Sequence, residues 1–284
     1  MSGQSTVTVI GAGGKMGMRV SANLAKSGYE TRFVENSPNG RARVTEAGRE
    51  LGELDDLVPT SDFVILAVPD IALGVVSSAV VPMMKSGATL LTLDPAAAYA
   101  GLLTQRPEVV QAVAHPCHPS VFLERTSPEQ YQDTFGGVSA PQNVIAAIEN
   151  GDEAQKTAVG DVIRVIYGPV IDVFWVTVKQ LAFLEPTLVE TVACMVGTLL
   201  RDALWETVNT VGVPQEAAQA ILFGHIQIAL TNALRGSNPF SDACEIAMDY
   251  GRESIIKDDC RKIFDERELD GVVARMLKLD PVAN

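Results

Sequence analysis

The sequence predicts an α/β protein that begins with a doubly wound parallel sheet and ends in an all-helical domain. Over roughly the first 110 residues, short apolar runs rich in β-branched residues alternate with helical stretches, the pattern of strands joined by crossover helices. A glycine-rich turn follows the first of these runs, where a strand would pass into a helix. From Lys179 onward no strand-like run is found and only helical stretches remain.

Length and composition limit the classes of protein that fit this pattern. The 284 residues are enough for about two domains with a sizeable core. With 47% hydrophobic and 20% charged residues, the chain is neither disordered nor collagen-like. A net charge of -13 repels phosphate backbones and anionic lipid, so small molecules are expected as partners rather than nucleic acid or a membrane surface.

The first part of the chain is predicted to contain five buried strands separated by four helices. The strands are short, apolar and partly β-branched, and they cover residues 7–10, 31–34, 63–68, 89–93 and 109–114. The helices cover residues 15–27, 41–50, 71–85 and 96–103. Because a helix lies between successive strands, the strands are expected to run parallel.

The remaining elements extend the sheet and then form the helical domain. A loop long enough to be functional covers residues 116–141, and a strand, a helix and a strand follow over residues 143–149, 153–167 and 170–178. Glycine and proline separate four further helices over residues 187–211, 214–234, 241–256 and 258–279. We therefore predict a dinucleotide-type sheet domain over residues 1–175 and a helical substrate and dimerisation domain over residues 176–284.

One predicted helix contains the longest stretch without formal charge, the 18 residues from Ala217 to Leu234. That length reaches the range of a membrane span. Polar residues within the stretch favour a helix in a protein core or a subunit interface instead, so we expect a homodimer and no membrane insertion. These polar residues are Gln219, His225, Gln227 and Asn232.

The four cysteines indicate a reducing compartment. They are widely spaced and form no C-x-x-C pair, so neither a disulfide framework nor a cysteine zinc site is expected. The chain begins without a basic segment and runs directly into the strand-like TVTVIG, so no signal peptide is predicted. We therefore expect a cytoplasmic protein.

The glycine-rich turn GAGGKMG is a close variant of the fingerprint that binds dinucleotides at the first strand and helix of a Rossmann sheet. Gly11 permits the tight turn, Gly13 or Gly14 lets the backbone approach a pyrophosphate, and Gly17 lets the helix pack closely on the strand. The residues expected to bind the cofactor here are Gly11, Ala12, Gly13, Gly14, Lys15 and Met16.

Glu35 suggests which dinucleotide is bound. It ends the second predicted strand, 24 residues after Gly11, where an acid accepts hydrogen bonds from ribose hydroxyls and repels a 2′-phosphate. NAD is therefore favoured over NADP. Arg41 and Arg43 are the competing signal, since they could clamp a 2′-phosphate, and a solvated acid at a strand end is the plain alternative for Glu35.

Two further strand ends are expected to border the same cleft. Ligands of open α/β sheets lie outside the carboxyl ends of the strands, so Val68, Pro69 and Asp70 should border the nicotinamide. Val68 is included among the cofactor-binding residues. Asp94 ends the next strand, and we expect it to cap the helix that starts near Pro95 rather than to contact the cofactor.

Two of the three histidines directly follow the strand predicted at residues 109–114. His115 and His118 should therefore lie at the cleft, whereas His225 lies within a predicted helix and is expected to be a hydrogen-bonded core residue. Spaced i, i+3 across prolines, His115 and His118 are candidates to ligate a metal or polarise a carbonyl, with His115 the first choice. An ordinary loop with hydrogen-bonded imidazoles is the alternative.

The segment between the two predicted domains contributes two carboxylates and a lysine. Glu185 and Glu190 would be rotated by roughly 140° from each other on a helix, so they should not chelate one ion together. Glu185, which precedes Pro186 at a predicted helix start, is the better metal ligand, and stabilising the helix dipole is its alternative role. Lys179 is a candidate general base, and a surface lysine is the alternative.

These motifs resemble those of known oxidoreductases. Through GAGGKMG, DFVILAVPD, TLLTLDP and AHPCHPSVF, the chain resembles the superfamily of 6-phosphogluconate dehydrogenase, ketol-acid reductoisomerase and prephenate dehydrogenase. AHPCHPSVF together with VKQLAFLEPTLVE resembles, more narrowly, the D-apionate oxidoisomerase family. The superfamily combines a dinucleotide domain with a helical domain that commonly forms a dimer.

The narrower resemblance implies oxidation coupled to rearrangement. NAD would take a hydride from C2 of a branched sugar acid, and a divalent ion, zinc or magnesium, on His115 and Glu185 would favour a 1,2-shift of the hydroxymethyl group. The base would be Lys179 or His118. The hydroxyacid-dehydrogenase pattern of a helical lysine followed one turn later by asparagine is absent, because Phe183 occupies that position.

Two other functions fit the same residues. A simple NAD-dependent 3-hydroxy acid dehydrogenase, decarboxylating or not, would use the same cleft without rearrangement or metal. A non-catalytic NAD sensor would use the helical domain to bind a protein. The substrate carboxylate has three candidate partners among which one sequence does not choose, Arg201, Arg235 and Arg252.

Overall fold

A seven-stranded sheet forms the centre of the first of two compact units. The computed structural model describes residues 5–279. Within them the strands are β1 (Thr6–Ile10), β2 (Glu30–Val34), β3 (Phe63–Leu66), β4 (Thr89–Thr92), β5 (Val110–Pro116), β6 (Gln142–Glu149) and β7 (Val170–Trp175). Their order across the sheet is β2-β1-β3-β4-β5-β6-β7. The predicted Rossmann-type sheet is confirmed.

Strand direction changes once along the sheet. The pairs from β2 to β5 are all parallel, whereas β6 runs antiparallel to β5 and parallel to β7. The reversal follows from the connection between β5 and β6. The chain leaves β5 at Pro116 and re-enters the sheet at the same edge, with Val144 opposite Pro116. Without a crossover helix to carry the chain back, two neighbouring strands pair antiparallel.

Helices cover both faces of the sheet and make up the end of the chain. Those that follow the sheet strands are α1 (Lys15–Leu24), α2 (Pro38–Glu46), α3 (Leu54–Leu57), α4 (Asp70–Val80), α5 (Ala96–Tyr99), α6 (Pro128–Gln132) and α7 (Glu153–Ile166). Those after β7 are α8 (Val178–Ala182), α9 (Met195–Asn209), α10 (Gln215–Arg235), α11 (Asp242–Ile255) and α12 (Glu266–Met276). Short 3₁₀ turns occur at Val58–Thr60, Val81–Met83 and Cys260–Phe264.

Local capping explains where several helices depart from the predicted bounds. α2 begins earlier than predicted because the Ser37 side chain accepts a hydrogen bond from the Gly40 N–H and Pro38 occupies the first turn. α6 lies inside the segment predicted as a loop, capped by Ser127 with Pro128 in its first turn. The last predicted helix is interrupted, because the chain becomes extended at Asp265 between a 3₁₀ turn and α12.

The helix after β7 does not begin at residue 187 as predicted. It runs continuously from Val178 to Asn209, with a π-helical segment over Phe183–Cys194 that contains Pro186. Proline has no N–H to donate to the preceding turn and its ring crowds the carbonyl there, which breaks regular α-helical bonding. The wider π spacing accommodates this ring, so Pro186 marks the interior of a helix rather than its start.

The core lies mainly between the sheet and the pair α1 and α7. Val7 and Val9 of β1 are fully buried against Leu24 of α1 and against Val162 and Ile163 of α7. Burying each such side chain contributes about 2 kcal/mol. This packing fixes the start of α1 against the end of β1, where the glycine-rich turn lies.

The chain divides into two compact units at positions other than the predicted border at residue 175. The first unit comprises the chain as far as Leu184 and the segment that starts at Asp270, and the second comprises Glu185–Leu269. α8 stays with the sheet because Val178 and Leu181 are buried with Val113 and Ala147. In the second unit, α9 and α11 contain no buried residue and α10 contains one, Ala218.

Two helices are long and apolar enough to cross a membrane by length and composition alone. They are Val178–Asn209 and Gln215–Arg235, and 17% and 6% of their most apolar windows are buried. The second contains the uncharged stretch noted in the sequence. Helices in a protein core or a subunit interface pass the same test, so this observation is weak evidence for a membrane.

Candidate active site

The carboxyl ends of β1, β3, β4 and β5 enclose a cleft of about 370 Å³. β2 lies on one side of β1 in the sheet and β3 lies on the other, so the strand order reverses at β1. Ligands of open α/β sheets bind at such a reversal. The predicted cofactor residues Gly14, Lys15, Met16 and Val68 line this cleft together with Asp70, His115 and His118.

The glycine-rich turn has almost no space for side chains. Gly11 has φ +80°, and a Cβ atom there would lie 2.5 Å from the Ala67 carbonyl oxygen at the end of β3. A Cβ on Gly17 would overlap the Gly11 carbonyl, and one on Gly13 would overlap the backbone of Gly40. A Cβ on Gly14 would lie 3.4 Å from its nearest neighbour, the Gly11 carbonyl oxygen. Gly13 therefore serves packing against α2, and Gly14 is the glycine that borders the open cleft.

Glu35 follows β2 and holds the glycine-rich turn in place. One carboxylate oxygen accepts a hydrogen bond from the Gly13 N–H at 2.9 Å, and the other accepts from the N–H and hydroxyl of Ser37, both at 2.8 Å. Burial raises the pKa of Glu35, but these hydrogen bonds lower it further than burial raises it, so the net shift is downward. Glu35 is therefore ionised at neutral pH. It borders a second cavity of about 230 Å³ with Ile10 and Val34.

The two arginines that could bind a 2′-phosphate instead donate hydrogen bonds to main-chain carbonyls. Arg41 donates to the main-chain carbonyl of Glu35 at 3.0 Å, and Arg43 donates to the carbonyl of Gly13 at 2.8 Å. Both guanidinium groups therefore support the turn and the end of β2. Gly13 is held from two sides, its N–H by Glu35 and its carbonyl by Arg43.

His115 lies near the end of β5, paired with Ile145 of β6. Its Nδ1 is 3.1 Å from the Leu93 carbonyl oxygen, which can only accept a hydrogen bond, so Nδ1 carries the proton. Burial lowers the pKa of His115 to about 4, with a further contribution from His118, while the Leu93 hydrogen bond opposes the shift. At neutral pH the ring is therefore uncharged, and Nε2 is the nitrogen with a lone pair.

His115 is grouped with two carboxylates. One ligand atom each from Asp94, His115 and Glu185 lies within 4.8 Å of the others. Glu185 is buried and is joined through the same helix to α8, which packs on the sheet. Asp94 also accepts a hydrogen bond from the Ala96 N–H at 2.8 Å, as expected for a residue at a helix start.

The sequence predicts Asp94 as a helix cap but does not show that it lies beside His115. The available signal was topological, because Asp94 and His115 end the adjacent parallel strands β4 and β5. Two aspartate oxygens allow one carboxylate to cap a helix and to take part in a ligand group. The capping interpretation was correct and incomplete.

His118 lines the same cleft in an unusual backbone conformation. Its φ is +59°, which side-chain-bearing residues rarely adopt. Its Nδ1 lies 2.7 Å from the Phe135 carbonyl oxygen, and because that oxygen only accepts, Nδ1 is the protonated nitrogen. In the neutral ring, Nε2 is then the nitrogen with a lone pair.

Several candidate residues are exposed in the structure. Lys179 is exposed on α8 and is not among the residues that line the cleft. His225 is exposed on α10, where its Nδ1 donates to the Ile221 carbonyl at 2.8 Å, so the expected core position is wrong. Glu190 is exposed, five residues beyond Glu185. The candidate carboxylate-binding arginines are exposed as well, namely Arg201, Arg235 and Arg252.

Known proteins resemble this chain along its whole length. It is 64% identical over 277 residues to the D-apionate oxidoisomerase of Pectobacterium atrosepticum, which covers 98% of this chain and 97% of that protein. It is 39% identical over 274 residues to the D-apionate oxidoisomerase of Cupriavidus necator, which covers 95% of this chain and 98% of that protein. The chain belongs to this family.

Family profiles and a solved structure agree with this assignment. The profile described as phosphogluconate dehydrogenase (decarboxylating) C-term matches residues 123–277, and the profile for the NAD binding domain of D-isomer specific 2-hydroxyacid dehydrogenase matches residues 2–93. A crystal structure of a semialdehyde dehydrogenase NAD-binding protein from Cupriavidus necator, in complex with calcium and NAD, has a TM-score of 0.93. Its sequence is 38% identical, covering 96% of this chain and 100% of that chain.

These findings confirm two of the predictions for the enzyme. It is an NAD-dependent oxidoreductase of the superfamily that the motifs indicated, and NAD is its cofactor. The cleft fits this cofactor, because Gly14 of the glycine-rich turn lines it at the start of α1 and the ionised Glu35 follows β2.

The ligand group fits a divalent cation by the chemistry of its donors. Two carboxylates and one neutral imidazole suit a hard or borderline ion such as magnesium or zinc. The Leu93 hydrogen bond orients the His115 ring, as carbonyl partners do for metal-bound histidines.

Proposed function

We propose that this enzyme is itself a D-apionate oxidoisomerase, converting D-apionate to 3-oxo-isoapionate. The observation that carries the proposal is the 64% identity to a relative of that name along nearly the whole of both chains. In the overall reaction C2 is oxidised, and the hydroxymethyl group then moves from C3 to C2. The C3 hydroxyl becomes a ketone and the C2 ketone becomes a hydroxyl, so the second stage is redox-neutral.

The residues of the glycine-rich turn and of β2 hold the cofactor in this proposal. The turn of Gly11, Ala12, Gly13, Gly14, Lys15 and Met16 forms the pyrophosphate site, in which the N–H groups of Lys15 and Met16 at the start of α1 bind the phosphates. Glu35 accepts hydrogen bonds from the adenosine ribose. Val68 borders the nicotinamide. When bound, NAD accepts the hydride from C2 of the substrate.

Asp94, His115 and Glu185 hold a divalent ion, zinc or magnesium, in this proposal. When bound, the ion would supply Lewis acidity to the rearrangement. The low pKa of His115 supports its assignment as a ligand, because a neutral imidazole coordinates metals at neutral pH without first losing a proton.

His118 is the proposed general base. Its Nε2 lies on the ring that lines the cleft and receives the proton of the C2 hydroxyl as the hydride leaves. Lys179 was the other candidate for this role, and its exposed place outside the cleft lining favours His118.

Two variants distinguish these candidates. We expect His118→Gln to lower kcat by about 10²- to 10⁴-fold, the usual contribution of general base catalysis. Lys179→Met should retain most of kcat. The comparison is made by steady-state NADH formation. The opposite order of effects would assign the base to Lys179.

The reaction itself is tested by identifying the product. NADH formation is measured with a panel of branched and linear sugar acids, with and without a chelator, and the product is analysed by NMR. We expect D-apionate to give a rearranged skeleton only when metal is present. An unrearranged keto acid, or release of carbon dioxide, would instead support the plain dehydrogenase that the phosphogluconate dehydrogenase profile favours.

The metal ligands are tested by a matched pair on one helix. Glu185→Gln should lower bound metal by more than about tenfold, as expected for loss of a ligand, whereas Glu190→Gln should bind metal like the wild type. His115→Ala and Asp94→Asn should behave like Glu185→Gln. Metal content is measured after dialysis against a fixed concentration of free ion. Full metal content and turnover in His115→Ala would disprove the assignment.

We also propose that the enzyme is a homodimer in the cytoplasm. The second unit supports a dimer because α9 and α11 have no buried residue and large apolar side chains are exposed along α10. A unit without a core of its own cannot offset the entropy cost of folding, and a second copy supplies the missing burial. The four free cysteines and the use of NAD support a reducing compartment.

A further inference from the structure

A short loop between α6 and β6 lies against the proposed base. Asp133, at the end of α6, accepts three backbone hydrogen bonds through one carboxylate oxygen, from Val138 at 3.1 Å, Ser139 at 2.8 Å and Ala140 at 3.0 Å. Asp133 is only 8% exposed. The carboxylate therefore closes residues 133–140 into a compact loop around a single buried oxygen.

Two glycines give this loop its shape. Gly136 and Gly137 have φ values of +79° and +81°, which favour glycine. A Cβ on Gly136 would also lie 2.6 Å from the buried Gln142 side chain. The conformation turns the residue before these glycines, Phe135, toward the cleft, which it lines.

Phe135 contacts His118 through both its backbone and its ring. Its carbonyl oxygen accepts the Nδ1 hydrogen bond of His118 at 2.7 Å, and the two ring centroids are 4.5 Å apart. On the same aromatic ring, the Lys15 Nζ lies 4.6 Å and the Arg19 guanidinium carbon 4.4 Å from the centroid. Both contacts are cation–π interactions, which help to hold the ring in place.

The loop is tied to α1, the helix that begins at the glycine-rich turn. A guanidinium nitrogen of Arg19 lies 3.9 Å from a carboxylate oxygen of Asp133, and the Asn23 side chain donates to the Gly137 carbonyl at 3.1 Å. The loop thus connects the helix that borders the cofactor site to the ring of His118.

We propose that Asp133 and Phe135 are positioning residues for His118, holding it as the tautomer whose Nε2 is free to take a proton. The inference rests on the proposed function, since the role of His118 as the base belongs to that proposal. The chain imposes this tautomer through the Phe135 carbonyl, which cannot donate a hydrogen bond. Because His118 has a positive φ, it has no regular secondary structure of its own to orient it.

The test separates the position of the ring from its use in catalysis. In protein labelled with ¹⁵N-histidine, two-bond ¹H–¹⁵N correlation spectra report which ring nitrogen carries the proton, and His118→Gln identifies the signal. We expect the Nδ1–H tautomer in the wild type and a mixture of tautomers in Asp133→Ala. Glu129→Ala removes an exposed carboxylate from α6 and should match the wild type.

Kinetics with the NAD-loaded enzyme provide the second readout. Asp133→Ala should lower kcat by roughly ten- to a hundredfold, within the contribution of a positioned base, while the KM for NAD changes less than about threefold. Asp133→Asn keeps one acceptor oxygen and should recover part of kcat and of the Nδ1–H tautomer. Thermal unfolding and circular dichroism verify that each variant is folded. If Asp133→Ala does not fold, the same measurements on Asp133→Asn and Phe135→Leu decide.

The outcomes separate the two proposals. A pure Nδ1–H tautomer in every folded variant of Asp133 and Phe135 would overturn the positioning role, whatever the activity. Wild-type kcat in His118→Gln would instead overturn the role of His118 as the base. Equal rises in KM for NAD and falls in kcat would also contradict the positioning role, because they would indicate a general loosening of the cofactor site.

Discussion

His115 and His118 illustrate how one residue type acquires two environments within three positions of the chain. His115 is held in β5 by pairing with β6, and burial lowers its pKa to about 4. His118 follows the strand with φ +59° and lines the cleft. Each donates its Nδ1 proton to a backbone carbonyl, of Leu93 and of Phe135. In the neutral form of each ring, Nε2 is therefore the nitrogen with a lone pair.

Glu35 carries the first prediction at this scale. We expect Glu35→Gln to raise the KM for NAD about tenfold and to lower the preference for NAD over NADP by at least as much. The reason is that the variant loses the charge that repels a 2′-phosphate and that binds the Gly13 N–H. The measurement is kcat/KM with both cofactors. Glu30→Gln, at the opposite end of β2, is the control, and an unchanged preference in Glu35→Gln would contradict the assignment.

Asp133 carries a prediction about pH. Burial raises the pKa of Asp133, but hydrogen bonds from Ser139, Ala140 and Val138 lower it by more, so the net value lies below that of an unfolded chain. A depressed folded pKa stabilises the native state above the unfolded pKa, about 3.9, and the benefit is lost as the pH falls further.

We therefore expect the wild type to be more stable than Asp133→Ala by about 1–3 kcal/mol at pH 7, the range for buried hydrogen bonds to a charged group. The difference should shrink as the pH falls below about 4. Thermal unfolding of both proteins from pH 7 to pH 3 measures it. A difference that stays constant over this range would show that the Asp133 charge does not contribute.

At the scale of elements, the π-helical segment decides where Glu185 lies. Pro186 in the sequence suggested a helix start, and the structure instead places it inside a helix that runs from Val178 to Asn209. The local sequence cannot distinguish a proline at a helix start from a proline inside a helix, because proline disrupts α-helical bonding in either case. α8 packs on β6 and begins this helix before the proline, so Glu185 lies inside the helix rather than at its start.

The contact between β1 and α1 leads to a prediction for a pair of glycines. A Cβ on Gly17 would overlap the Gly11 carbonyl. A Cβ on Gly28, in the turn after α1, would instead point into open space. We expect Gly17→Ala to destabilise the protein by about 3 kcal/mol through overpacking, or roughly 6–12 °C in Tm. Gly28→Ala should change Tm by less than about 2 °C. Equal Tm values for the two variants would contradict the close packing.

At the scale of the whole molecule, the second unit is the part that lacks a core. Large apolar side chains of α10 are exposed in the single chain, with Ile221 63% and Phe223 61% accessible. Exposed apolar surface of this kind is typical of protein interfaces, and it supports the proposal of a second copy of this chain as the partner. The same helix also contains polar residues, which are compatible with the proposed subunit interface.

The dimer prediction is tested with Phe223→Lys. We expect this variant to shift the sedimentation coefficient from that of a dimer to that of a monomer and to lower Tm, because folding of the second unit then loses its partner. Val121→Lys introduces the same charge at an exposed apolar residue of the first unit and serves as the control. A wild-type protein that sediments as a monomer would disprove the homodimer.

The sequence predicted much of the fold because its signals were local and periodic. The strands β1 to β5 are short apolar runs, and the glycine-rich turn after β1 requires residues without a Cβ. NAD followed from the same turn and from Glu35. The reversal at β6 was missed, because an antiparallel pair depends on where a long connection returns to the sheet rather than on the composition of the strand.

The amino-acid sequence by itself determined the class of fold and the cofactor, because each depends on residue type at a defined place along the chain. It also indicated His115 and Glu185 as candidate metal ligands. Only the tertiary structure decided that Asp94 joins His115 and Glu185, and that Phe135 meets His118. It also decided that Lys179 lies outside the cleft lining. These relations join residues far apart in sequence, and they follow from how strands pair and helices pack rather than from local pattern.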